Sequence, residues 1–130
     1  MADSILCFED GDFDGLLPAE GFYPAVVERA RFHTSQRGNT TLQVICEIAG
    51  VPASYDIVAD YFVLSGSSER GRAVSRKRLL ELYRACGLCP KTGDPIRPEA
   101  LTGSQIEIHL GHETYEGALR LRVLGYRALP

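Results

Sequence analysis

Residues 40–50, TTLQVICEIAG, alternate with a period of two. Leu42, Val44, Cys46 and Ile48 fall on one side and Thr41, Gln43, Ile45 and Glu47 on the other, as in a strand with one buried face. Upstream, FYPAVVERARF (22–32) is rich in β-formers with polar interruptions and predicts another strand. Pro24 near its start suits a sheet edge or a strand's first residues. The turn cluster HTSQRGN (33–39) joins the two into a long hairpin. After the break VPAS, YDIVADYFVL (55–64) predicts a third strand. In SGSSERGR, Ser67 or Ser68 is placed to cap a helix over 73–86. There Leu79, Leu82, Tyr83 and Cys86 recur at i, i+3, i+4 and i+7, while Arg76, Lys77, Arg78, Glu81 and Arg84 keep the rest polar. EALTG (99–103) suits one helical turn. The chain then predicts a second hairpin. SQIEIHL (104–110) sets Ile106, Ile108 and Leu110 on one face, GHETYEG (111–117) connects, and ALRLRVLGY (118–126) turns Leu119, Leu121 and Val123 inward and Arg120 and Arg122 outward.

The resulting order is three strands, a helix and two strands. A helix between the third and fourth of five strands is the order of an OB-fold, a small, partly open Greek-key barrel, so the expected class is mainly β. The 130 residues suffice for one such domain with its own core. Its boundaries are set by charge. Residues 1–20 hold six acids (Asp3, Glu9, Asp10, Asp12, Asp14, Glu20) and no base, and form a partly flexible acidic leader to a barrel domain over 21–130. Residues 61–90 hold six bases against two acids, so the net charge of −3 conceals an acidic head on a mildly basic body. No run approaches the ~18–20 apolar residues of a membrane span. The acidic N-terminus does not resemble a secretory signal, so a cytoplasmic protein with four free thiols is expected.

Cys86 and Cys89 form a C-x-x-C, and His109 and His112 an H-x-x-H. Zinc needs four such ligands in a tetrahedron. Histidines three apart on a strand point to opposite faces, and the gap of 19 residues between the two pairs exceeds the ~12–15 of a finger signature. A redox pair belongs at a helix start, where the dipole lowers the thiol pKa. This one closes a helix: Cys86 completes the apolar stripe, Gly87 is the residue after the cap and Pro90 stops the helix. No G-x-S-x-G, P-loop or H-E-x-x-H is present, Asp56 and Asp60 are isolated, and DGDFDG (10–15) lacks the calcium-loop spacing. No enzyme and no cofactor are expected.

The run GFYPAVVERARFHTSQRGNTTLQVICEIAG resembles the opening of a phage- and prophage-encoded family of domains of unknown function. DYFVL resembles its third strand, RKRLLELYRACG its helix, ALTGSQIEIHL the lead-in to its fourth strand and RLRVLGY its last. The resemblance covers roughly residues 17–127 and rests on order and spacing; the cysteine and histidine pairs are not part of it. It implies an OB-like protein that binds single-stranded DNA in replication or recombination, with the proteins of those processes as partners.

Single-strand binding needs cations for phosphates and flat side chains for bases. The expected contacts are Arg31 and Arg37 at the first hairpin, Tyr55 and Tyr61 on the third strand, and Arg70 and Arg72 before the helix. His112 and Tyr115 at the second hairpin tip and Arg120 and Arg122 on the last strand complete the set. Tyr55 and Tyr61 share a face with Ile57, Ala59 and Val63, which reads first as the interior. The helix cations Arg76, Lys77 and Arg78 suit a solvated face, a phosphate contact or a partner surface. Glu28 and Glu47 would oppose DNA on a shared face. A protein-interaction or assembly module, including a homodimer through strand edges, is the second reading. A zinc site on Cys86, Cys89, His109 and His112, or a thiol redox module, is the third.

Overall fold

The computed structural model describes residues 5–9, 12, 16–66 and 68–130. Five antiparallel strands form one sheet: β1 (Gly21–Thr34), β2 (Thr40–Ile48), β3 (Ile57–Val63), β4 (Gln105–Tyr115) and β5 (Ala118–Ala128), with one helix, α1 (Glu69–Ala85), between β3 and β4. Their order in the sheet is β3-β2-β1-β4-β5. β1 is central: its first half pairs with β4 from Gly21↔Leu110 to Val26↔Gln105, and from Ala25 onward it pairs with β2. The sheet is not closed. β3 and β5 are its two edges, running in the same sense, and no ladder joins them.

The β2 alternation holds: Leu42, Val44, Cys46 and Ile48 are all buried. With Ala25, Val27, Phe62, Ile106, Ile108, Leu110 and Tyr126 they form the inner face, covered by Leu79, Leu82 and Tyr83 of α1. Each such large side chain, taken fully from water, favours folding by about 1.5–3 kcal/mol.

Two irregularities change which residues face out. Val27 pairs with Cys46 but Arg29 pairs with Ile45, so Glu28 is an extra residue in β1. That bulge turns Arg29, Arg31 and His33 to the outer face, where simple alternation from Val27 would bury them. On β5, His109 pairs with Gly125 and Leu110 with Val123, making Leu124 the extra residue. Leu121 and Val123 therefore pack inward before the bulge and Tyr126 after it, while Leu119, expected inside, is 56% exposed on the projecting hairpin.

The second hairpin also corrects the expected connection over 111–117. β4 runs on to Tyr115, and Glu116 (φ 51°) and Gly117 (φ 79°) alone make the turn, the type I′ pair of left-handed residues. The helix begins earlier than expected, at Glu69. Ser68 caps it, its hydroxyl accepting from Gly71 N at 3.1 Å, whereas Ser67 lies outside the described residues. Its end matches expectation. Gly87 N donates to Arg84 O and Leu88 N to Tyr83 O, both at 3.0 Å, with Gly87 at φ 81°: the Schellman pattern. EALTG contributes part of a short 3₁₀ turn, Pro98–Ala100.

Of the acidic leader, Leu16–Glu20 is described continuously. Its end is fastened to the sheet: the Tyr23 hydroxyl donates to Ala19 O at 2.5 Å, and Glu20 Oε2 accepts from His112 N at 3.0 Å. Asp10 and Asp14 of DGDFDG lie outside the described residues. Among the described residues no helix is long and apolar enough to cross a membrane.

Candidate nucleic-acid interface

The open seam between β3 and β5 is closed at one end by side chains. Asp60, on the inner face of β3, accepts from Tyr126 Oη of β5 at 2.5 Å and forms an ion pair with Arg78 of α1. Its second oxygen accepts from Tyr61 N at 2.8 Å. The helix also caps both strand edges. Val63 N donates to Ser75 Oγ at 3.2 Å, and Tyr126 N donates to Glu81 Oε1 at 3.0 Å, the carboxylate passing over Gly125, where a Cβ would stand 2.7 Å from it. Burial first, and the neighbouring Asp60 charge second, hold the Tyr126 hydroxyl well above its ordinary pKa of 10, so it remains a donor.

Beyond these ties the seam widens into a groove. One part, about 620 Å³, is lined by Ala59, Asp60 and Tyr61 of β3, Val74 and Arg78 of α1, Glu113 of β4 and residues 120–124 of β5. A second part, about 390 Å³, shares Ala59 and residues 120–123 and adds Leu17, Ser54, Tyr55, Ile57, Val58, Leu110 and Leu119. Ile57, Tyr61, Val74, Leu119 and Leu124 along it are all more than 40% exposed, a concentration of apolar surface with arginines at its rim.

The structure reverses the expected orientation of β3. Val58, Asp60 and Phe62 face inward, and Ile57, Ala59 and Tyr61 face out, so Tyr61 is 53% exposed instead of buried. It ends a row running across three strands, set by the registers Arg31↔Gln43 and Gln43↔Tyr61. Arg31 Nε donates to Gln43 Oε1 at 3.1 Å, and Gln43 Nε2 donates to Tyr61 Oη at 3.2 Å. Across the groove, Glu113 faces Arg120 and Arg122. Arg120 Nε is 2.6 Å from Glu113 Oε1 and Arg122 Nε is 3.9 Å from Oε2, while the Arg120 guanidinium lies 4.1 Å over the ring of Tyr115. A belt of cations and flat groups thus leads from Arg31 through Gln43 and Tyr61, over the groove, to Arg122, Arg120 and Tyr115.

Of the residues expected from sequence, Tyr55, Tyr61, Arg120 and Arg122 line the groove, and Arg31 and Tyr115 extend it. Arg37, Arg70 and Arg72 do not line it. Arg37 is at the tip of the β1–β2 turn, which is tied to the β3–α1 connection by Leu64 N to Thr40 O and Thr40 N to Ser65 Oγ, both 2.9 Å. Arg70 and Arg72 lie in the first turns of α1, not in a preceding loop. His112 is not at a hairpin tip. It sits within β4, its Nε2 2.6 Å from Pro18 O, and fastens the leader. Glu28 and Glu47 line a separate shallow cleft; each other's company, through a shared hydrogen bond first and charge second, raises the Glu47 carboxyl pKa. Arg78, weighed from sequence as one of three helix cations, lines the groove as the partner of Asp60, whereas Gln43 and Glu113 are belt residues that sequence reasoning did not single out. Only cross-strand register, absent from a linear pattern, puts them there.

The four-ligand zinc arrangement is not assembled. His109 and His112 leave β4 on opposite faces, His109 stacking on Phe22 at 4.5 Å between ring centroids. Among the described residues no three His, Cys, Asp or Glu side chains are grouped to hold a metal ion. All four cysteines are free thiols. Burial pushes Cys46 up to about 12 and also raises Cys86, the reverse of what a reactive thiolate needs. A chromogenic disulfide reagent at pH 8 is therefore expected to modify exposed Cys7 and Cys89 quickly, Cys86 slowly and Cys46 only on unfolding. Rapid labelling of Cys46 in the folded chain would contradict this burial.

No protein-family model matches this chain, and no curated protein sequence matches it either.

Proposed function

We propose that this protein binds single-stranded DNA without catalysing a reaction, as a phage- or prophage-type protein of replication or recombination. The belt carries this reading. Arg31, Arg120 and Arg122 are spaced along a path crossing the sheet, with Tyr61 and Tyr115 between and beside them as exposed stacking surfaces. Phosphates supply affinity to such a path and bases supply stacking contacts of about 1–3 kcal/mol each, with little sequence preference. We take the architecture as an OB-like barrel left open between β3 and β5, because the strand order, the shared central β1 and the helix position all suit it. The resemblance to the phage family supplies the preference for DNA and for replication or recombination partners.

Titration of a fluorescent oligo-dT at two salt concentrations tests this. Binding that weakens steeply with salt is expected, because neutralised phosphates release counterions. No change in anisotropy at high micromolar protein and low salt would sink it. The second reading, an interaction module or homodimer, is favoured by the stretches of the β3 and β5 edges that lie away from the α1 caps, beside exposed Ile57 and Leu119. Concentration-dependent mass by light scattering, without oligonucleotide binding, is the result that would select it.

A further inference from the structure

The groove holds two carboxylates, and their surroundings differ. Asp60 is largely enclosed, its side chain 14% exposed, and it accepts hydrogen bonds from β3, α1 and β5. Moving it would unpair Arg78 and leave the Tyr126 hydroxyl without its acceptor. Glu113 is 30% exposed, and its two carboxylate oxygens face Arg120 and Arg122, themselves 53% and 60% exposed. Among the described residues its ion pairs are with Arg120 and Arg122 of β5, where those of Asp60 reach α1. It occupies the position between two guanidinium groups that a bridging phosphate would take, and presents the same chemistry: two anionic oxygens for Nε–H donors.

We propose that Glu113 is a built-in phosphate surrogate, held by Arg120 and Arg122 until a phosphate of the bound strand displaces it. The inference rests on the nucleic-acid reading above and adds its regulation. In the empty protein the carboxylate orders the two arginines, Arg120 of them over Tyr115, and partly cancels their field. A lone monovalent anion gains little by replacing it. A chain of phosphates, already held at Arg31 or against Tyr61, supplies its next phosphate at high local concentration and does displace it. Glu113 therefore favours extended polyanions over single small anions, and lowers affinity for both. On release, the carboxylate turns to water and the freed guanidinium groups bind the phosphate.

The test is Glu113→Gln, which keeps shape and hydrogen-bonding capacity but removes the charge. Oligo-dT is expected to bind up to about five-fold tighter near 0.1 M salt, because no exposed ion pair has to be broken, with the log–log salt slope little changed, because the same phosphates are neutralised in both proteins. Equal or weaker binding by the variant would show that Glu113 merely positions the arginines, and would overturn the proposal. Inorganic polyphosphate, titrated into both proteins, separates the two layers. If neither binds oligo-dT, but polyphosphate binds the variant more tightly than the unaltered chain, the nucleic-acid reading falls and the displacement stands. Equal polyphosphate affinities overturn the displacement itself. The unfolding midpoint of each protein, measured alongside, guards against a folding artefact; a second substitution, Glu113→Ser, must shift affinity in the same direction.

Discussion

Replacing Arg120 and Arg122 together with alanine is expected to weaken oligo-dT binding about five-fold near 0.1 M salt and to flatten the salt slope by about 0.7, the contribution of the one single-strand phosphate that the two guanidinium groups bridge. Stability should hardly change. Both side chains are more than half exposed, and exposed ion pairs of this kind are worth about 0–1 kcal/mol. Glu113, left alone, remains in contact with water. The salt slope makes the experiment decisive, because general damage to the groove would lower affinity without altering the slope. An unchanged slope would mean that the strand follows another path, with Arg37, Arg70 and Arg72 the next cations to replace.

Asp60→Ala has the largest expected effect on stability, a loss of about 2–3 kcal/mol in urea unfolding. The substitution strands a partly enclosed guanidinium, Arg78, and deprives the Tyr126 hydroxyl of its acceptor where the two edge strands meet. Removing one member of an enclosed charged cluster costs more than the cluster's net contribution, because the remaining groups keep their desolvation penalty. Tyr126→Phe should cost only about 1 kcal/mol, since it deletes one hydrogen bond and leaves Asp60 paired with Arg78. If the two substitutions cost the same, the Arg78 pair does not hold the seam and the helix packing does. A loss of 2–3 kcal/mol is large against the 5–15 kcal/mol that stabilises an ordinary domain.

Elements defined by local chemistry were legible in the chain. The α1 stripe and its glycine-terminated end need only helical spacing and one left-handed residue, and β2 needs only its alternation. Orientation was harder to read wherever a distant partner decides it. On β3, three apolar residues accompany Tyr61 on one face and an acid stands on the other, so residue type alone chooses the wrong interior. Asp60 is inside because Arg78 and Tyr126, 18 and 66 positions away, meet it there. The bulges at Glu28 and Leu124 are equally silent in the sequence, since an extra residue exists only relative to a paired strand. GHETYEG looks like a loop because it is polar and flanked by glycines. It extends β4 because the partner residues 118–122 offer arginines for its glutamate. For the same reason the belt was visible as separate arginines and tyrosines, but not as a path.

The central place of β1 also sets an order of events. Its pairing with β2 closes a short turn, whereas its pairing with β4 joins Ala25 to Ile106, across most of the chain. During synthesis the first three strands and α1 leave the ribosome well before any residue of β4. One flank of β1 must then wait, its backbone groups served only by water. Loop closure over that distance is a slow step, because the ordering cost precedes the contacts that reward it. The arrival of the β4–β5 hairpin at that flank is thus the natural commitment point of folding. It is also the moment at which the groove acquires its second wall, so the proposed binding surface does not exist until the last quarter of the chain is made.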